Sequence, residues 1–163
     1  MNHDEGDIKL DGNGLHFTFR VAAVGIHNDR VILQQITGTD WWFLPGGHGR
    51  IGETGEESLR REIREELDEE IEVERLLWIG ENFFTLQERD FHEVSLVYLV
   101  TFPDGSHVTR RDEIPGIDGD DVAVINRWHA LPRLNSLTLL PSFLREGIRN
   151  LPVAPVHITG REH

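Results

Sequence analysis

Residues 16–27 (HFTFRVAAVGIH) are dominated by β-branched, aromatic and small side chains, and the stretch 21–26 carries no charge. An apolar run of that length predicts a strand buried on both faces. The turn residues His27-Asn28-Asp29-Arg30 and the run RVILQQI that follows predict a hairpin. Thr37 to Asp40 predict another turn, after which Trp41-Trp42-Phe43-Leu44 lead into Pro45-Gly46-Gly47. Leu59, Ile63 and Leu67 then recur at i, i+4 and i+8, the buried stripe of a helix. Thr54 stands where an N-cap belongs, with Glu57 three residues on, as a capping box requires. Residues 70–84 read as mostly extended, 91–102 as a second strong strand and 122–129 as a last one. The pattern over 139–150 predicts an amphipathic helix, and 104–121 a polar loop. Residues 1–14 read as a loose lead-in ending in the turn Asp11-Gly12-Asn13-Gly14, and 151–163 as an irregular tail. Five or six strands with two well-spaced helices predict a mixed α/β layer architecture in a single domain over residues 1–163. The early strands arrive without helices between them and no GxGxxG follows a strand, which argues against a doubly wound dinucleotide fold.

Charge changes the picture more than composition does. The 163 residues carry 16 basic and 29 acidic side chains, a formal charge of −13. That balance excludes a nucleic-acid polymer or an anionic membrane surface as the expected partner, since both select a positive footprint. The charge is also concentrated. Residues 53–74 hold eleven carboxylates against three arginines, a net of −8, which leaves −5 for the rest. Cysteine is absent, so thiolate metal sites, disulfides and cysteine nucleophiles are excluded together. The polar, acidic start is unlike a signal peptide, and the apolar runs are strand length, so a cytoplasmic location is expected.

On a helical wheel, with Glu62 at zero, Glu66 falls at about 40° and Glu65 at about −60°, beside an apolar stripe at about 60° to 140°. Glu62 and Glu66 therefore border the buried side, one turn apart. Carboxylates so placed repel one another unless a positive charge stands between them. A divalent cation does this well, and Mg²⁺ takes hard oxygen ligands from a few carboxylates together with substrate phosphates. The side-chain-free loop Leu44-Pro45-Gly46-Gly47 precedes the helix and can bring backbone carbonyls to the same place. A merely solvated acidic face is the competing explanation.

Gly47, then Glu53 after five residues, then Arg61-Glu62-Ile63-Arg64-Glu65-Glu66 after seven more, resemble the Nudix box G-x5-E-x7-R-E-U-x-E-E-x-G-U, where U is aliphatic. Seven of the nine specified positions match. Asp68 replaces the box glycine and Glu69 the last aliphatic residue, which predicts a shifted helix end with the metal site retained. The resemblance implies an α/β/α sandwich around a mixed β-sheet. It also implies hydrolysis, dependent on Mg²⁺ or Mn²⁺, of a nucleoside diphosphate linked to another moiety. By the same resemblance Glu62, Glu65 and Glu66 are metal ligands, joined by the Gly46 carbonyl. Arg61 with Glu53 resembles the family's structural salt bridge that pins the loop to the helix, which implies that Arg61 is directed away from the metal.

A polyphosphate would be repelled by a −8 segment, so bound cations must screen it, polarise the phosphoryl oxygens and activate water. The general base is Glu62 or a carboxylate of the later loop, where Glu113 ranks ahead of Asp118, Asp120 and Asp121. Arg20, alone in an apolar strand, is a candidate phosphate clamp. Arg50 is a second candidate, and Phe84 the aromatic candidate for stacking a base. Relatives that prefer ADP-ribose or diadenosine polyphosphates often carry a proline or a tyrosine where this chain has Phe83 and Phe84, so substrate choice stays open among nucleotide sugars and nucleoside triphosphates. The expected partner is a small nucleotide-like molecule, and a homodimer is compatible with the resemblance. The rival from another class is a non-catalytic Nudix-fold module that binds a nucleotide for regulation; a third is an acidic domain that docks a basic partner.

Overall fold

A computed structural model describes residues 6–119 and 121–162. The buried run becomes β2 (Leu15–His27), and its two faces feed two separate cores. Val21 and Ala23 pack with Leu59, Ile63 and Leu67 of α1 (Gly55–Leu67), whereas Ala22 and Val24 pack with Val31, Leu33, Trp42 and Leu77 on the other side. Burial on both faces is why this strand lacks alternation.

β2 is joined to β3 (Arg30–Ile36) by a tight turn with Asn28 and Asp29 at φ 51° and 57°. β6 (Glu72–Leu86) and β7 (Arg89–Thr101) form a long hairpin, and β8 (Glu113–Asp118) pairs with β9 (Val122–Ala130). The expected polar loop over 104–121 thus contains a strand; its alternation was masked by Pro115 and Gly116, which an edge strand tolerates. The lead-in is also ordered in its described part. β1 (Lys9–Gly12) pairs antiparallel with β2, and Asn13-Gly14 makes the hairpin turn with both residues at positive φ. The tail is likewise not irregular, since β11 (Val156–Glu162) lies parallel along β6 after the two prolines.

The sheet order is β11-β6-β7-β2-β3-β9-β8, with β2–β7 and β11–β6 parallel, so the sheet is mixed as expected. Position of the site follows from one irregularity. β2 meets β3 only at Ile26–Val31 and His27–Arg30; nearer its start its partner on that side is β5 (Gly46–His48). The sheet therefore splays, and α1 lies across the split in contact with β2, β5 and β8. On the opposite face β4 (Trp41–Trp42) pairs with β10 (Thr138–Leu139) beside a 3₁₀ turn, Leu131–Ser136. The long helix expected over 139–150 is only the short α2 (Leu144–Gly147). Leu139 is taken by strand pairing, and Pro141 can neither donate to a helix nor let Leu140 enter one easily.

Candidate active site

The start of α1 is built as its sequence predicts. Thr54 Oγ1 accepts from the Glu57 amide at 3.2 Å, and Glu57 Oε2 accepts from the Thr54 amide at 2.7 Å. Its end differs from expectation. Asp68 adopts φ 49°, ψ 45°, the left-handed conformation of the glycine it replaces, and its N–H donates to Arg64 O. The helix end is not shifted, because a single aspartate tolerates that region.

Loop and helix are locked through Glu53. Arg61 Nε donates to both its carboxylate oxygens at 3.1 Å and Nη2 to Oε2 at 3.0 Å, while Ser58 Oγ donates at 2.7 Å. Arg61 Nη2 also reaches His48 O at 3.1 Å. The expected salt bridge is present, but Arg61 is not directed away from the acidic edge. Its Nη1 lies 2.5 Å from Glu62 Oε1 and 3.7 Å from Glu65 Oε2. A five-donor fork serves both groups at once.

Glu62 and Glu66 are buried, whereas Glu65 is exposed, as the wheel predicts. A Cβ placed on Gly47 would come 2.1 Å from Glu62 Oε2, so this carboxylate lies directly against the glycine backbone and would be displaced by any side chain there. Gly46 is the more constrained of the two, since a Cβ there would meet the backbone at Val21 O, 2.0 Å away. Glu66 Oε2 accepts from Gln34 Nε2 at 2.9 Å, and the same amide nitrogen donates to Asn126 Oδ1 at 3.1 Å. Gln34 and Asn126 are fully buried. Glu66 Oε1 and Gln34 Oε1 are buried acceptors with no donor. Burial, then the negative charge of Asp118, pushes the Glu66 carboxyl well above the usual carboxylate range; burial also raises Glu62, against the pull of Arg61.

These observations test the fit of a divalent cation. Two buried carboxylates with raised pKa values, an orphaned acceptor and an all-oxygen donor set suit a hard cation. Among the described residues no three acidic or histidine side chains converge on one point, and Arg61 supplies the positive charge that holds Glu62 near Glu65. Buried Glu62 and Glu66 beside the glycine backbone fit the group by their chemistry, with Glu65 exposed next to them.

Glu113 is not brought to this edge. It lies exposed on β8, with Arg127 Nη2 donating to its Oε2 at 2.5 Å, and Arg127 in turn covers Trp42 on the far face. Strand alternation explains it. Ile114, Gly116 and Asp118 face α1, so Asp118 is the carboxylate of that segment whose charge acts on Glu66 and His48. Asp121 is exposed in the following turn, and Asp120 lies outside the described residues. Arg20 is half-buried, its Nη2 donating to Leu44 O at 3.0 Å and its guanidinium over Phe43, and its charge reaches Glu62 and Glu66. Arg50 bonds Asp7 Oδ1 at 3.2 Å, which ties the N-terminal segment to the loop. Phe84 stacks on Phe91 at 5.0 Å and 3°, on the face away from Phe83. Gln34 and Asn126 escaped sequence analysis, although an amide inside each of the apolar runs VILQQI and VAVINRW is the signal of a buried polar network.

The NUDIX domain family model matches residues 16–151. The chain belongs to this family. Among solved structures it is similar to a MutT protein from Bacillus halodurans, with 15% identity, TM-score 0.58, and coverage of 88% of this chain and 89% of that one. An ADP-ribose pyrophosphatase from Streptococcus suis matches with 14% identity and TM-score 0.56 over 89% and 98% of the two chains. A UDP-X diphosphatase matches with 24% identity and TM-score 0.51 over 71% of this chain; this chain spans about half of that protein, 51%. No helix among the described residues is long and apolar enough to cross a membrane.

Proposed function

We propose that this protein hydrolyses the pyrophosphate bond of a nucleoside diphosphate linked to another moiety, either a nucleotide sugar or a further phosphate, with Mg²⁺ or Mn²⁺ as cofactor. The observation that carries the proposal is the pair Glu62–Glu66, buried beside the glycine loop with an acceptor oxygen unbonded. Glu62, Glu65, Glu66 and the Gly46 carbonyl would hold the cation, which supplies Lewis-acid polarisation of phosphoryl oxygens and a more acidic bound water.

The chain's own residues do the rest. Gln34 orients the Glu66 carboxylate by its hydrogen bond and is itself tied to Asn126. Arg61 with Glu53 fixes the loop so that the Gly46 and Gly47 backbone faces the carboxylates. Arg20, beside Leu44 O and within the field of both buried carboxylates, receives and orients a substrate phosphate. Asp118 takes the general-base role for which the sequence ranks Glu113 first, because it faces Glu66 while Glu113 is saturated by Arg127 on the other side. Phe84 offers a face for the base. The intact carboxylates and the retained helix end at Asp68 favour catalysis over a purely regulatory nucleotide-binding role.

The test is turnover of a panel of nucleoside triphosphates, ADP-ribose and UDP-sugars with Mg²⁺, with chelator, and with Glu66→Gln. Turnover of at least one member that is lost on chelation and in the variant is expected. Activity that survives both would overturn the proposal, as would inertness to the whole panel.

A further inference from the structure

On the face of the sheet away from α1, three successive rows of cross-strand partners run over β6, β7 and β2. Phe84 pairs with Phe91 and Phe91 with His16; Asn82 pairs with Glu93 and Glu93 with Thr18; Gly80 pairs with Ser95 and Ser95 with Arg20. Partners across a ladder share a face, and rows two residues apart are separated by about 7 Å. The first row is aromatic, with Phe84 and Phe91 parallel at 5.0 Å and His16 edge-on to Phe91 at 5.0 Å. The third ends in Arg20, whose charge reaches the box carboxylates.

The middle row is polar throughout. Asn82 is 1% exposed and Thr18 4%, while Glu93 is half-buried and is the member that meets the surface. The Asn82 amide lies beside Glu93 and helps hold that carboxyl down against the burial that raises it, yet neither Oδ1 nor Nδ2 makes a hydrogen bond of good geometry. On β11, Gly160 leaves Asn82 uncrowded, since a Cβ there would approach Oδ1 to 3.3 Å. A buried amide without a well-formed hydrogen bond is rare in a folded protein. Burial raises the Glu93 carboxyl, with the Arg20 charge and the Asn82 amide pulling the other way, and a carboxyl beside an amide suits hydroxyls better than a phosphate.

Aromatic, hydroxyl-binding and cationic rows follow one another in the same order as base, ribose and phosphate in a nucleotide. We propose that Glu93, backed by Asn82 and Thr18, reads the ribose hydroxyls of the substrate, so that the site selects ribonucleotides over their 2′-deoxy counterparts. The inference rests on the proposed function, in that it needs a nucleoside diphosphate group whose phosphates lie at Arg20. A carboxylate accepts hydrogen bonds from adjacent hydroxyls, and Asn82 offers one donor and one acceptor behind it. A site built to bond a hydroxyl discriminates against the analogue that lacks it, because its own buried polar groups are then left unpaired.

Binding of ADP against 2′-deoxy-ADP, and of UDP against 2′-deoxy-UDP, measured by calorimetry with Mg²⁺, tests this without requiring turnover. At least one ribonucleotide should bind tighter than its deoxy partner by on the order of 10-fold. In Glu93→Gln and in Asn82→Leu the preference should fall toward one, with affinity for the deoxy compound little changed. Equal affinities for ribo and deoxy forms in the wild-type protein would overturn the inference and leave the proposed function standing. An undiminished preference in both variants would also overturn it; if Asn82→Leu then melts higher, the amide serves only a buried water. Failure to bind any of the four diphosphates overturns the inference alone where the turnover panel is positive, and the proposed function with it where that panel is negative too.

Discussion

Glu66 and Glu113 belong to the same chemical class and lie on neighbouring elements, yet their surroundings are opposite. Glu113 is exposed on the outer face of β8, and Arg127 donates to one of its oxygens through both Nε and Nη2, at 2.9 and 2.5 Å. Its charge is already answered, and an exposed pair of this kind adds little to stability. Glu66 sits on the inner edge of α1 with one oxygen on a neutral amide and the other unbonded. The α1 segment divides in the same way. On its outer side Arg64 holds Glu70 at 2.6 Å and Arg60 approaches Glu56, whereas Glu66 on the inner edge has no arginine partner among the described contacts. Glu62 on the same inner edge already holds Arg61 at 2.5 Å, so Glu66 is the buried carboxylate of the −8 segment whose charge no arginine answers among the described contacts.

The most direct way to break this comparison is to neutralise each kind of carboxylate in turn. Asp118→Asn, in the general-base role, should lower kcat on the order of 10²- to 10⁴-fold, and Glu66→Gln, in the ligand role, by more than about 100-fold. Glu113→Gln should leave kcat and KM as they are. Steady-state kinetics on the best substrate of the panel decides it. A large loss in Glu113→Gln with Asp118→Asn unaffected would reverse the assignment of the base.

A smaller effect is expected one step back from the ligands. Gln34→Leu removes the only hydrogen bond to Glu66 among those described and should weaken Mn²⁺ binding by about 10- to 100-fold, read by calorimetry or by the signal of free Mn²⁺. Melting temperature without metal separates this from unfolding. If Mn²⁺ affinity is unchanged in a folded variant, the amide only fills space, and Glu66 needs no orienting partner.

The inner edge was largely legible in the sequence because it is local. Capping box, heptad-like stripe and box spacing all lie within one helix and its loop, so a helical wheel placed Glu62 and Glu66 correctly. What was not legible depends on parity and on partners distant in the chain. Whether Glu113 or Asp118 faces α1 is settled by the register of β8 on β9, and Pro115 with Gly116 hid that a strand was there. Gln34 and Asn126 come from separate strands and acquire meaning only when both meet Glu66. β1 could have been found, since Asn13-Gly14 is a strong hairpin signal. β11 was harder to find, because its alternation of Val156, Ile158 and Gly160 with His157, Thr159 and Arg161 is short and follows two prolines.

The smallest expected effect is one of pH, and it contrasts the two regions by sign. His129 follows Arg127 on the outer side, edge-on to Trp42 at 4.3 Å, with Nε2 buried and unbonded. Burial, aided by the charge of Arg127, lowers its pKa from 6.5 to about 4. Between those values the unfolded chain binds a proton that the folded one refuses. The stability His129 contributes is therefore complete above pH 6.5 and is lost as pH falls toward about 4. For the raised carboxyls of Glu62 and Glu66 the metal-free protein behaves the other way, losing stability as pH rises above their ordinary value of 4.5. Urea midpoints measured across this range should show a shallower acid limb in His129→Phe and a shallower alkaline decline in Glu66→Gln, while each variant keeps the other slope. Titration of the His129 ring protons near 6.5 in the folded protein would remove the outer half of this contrast.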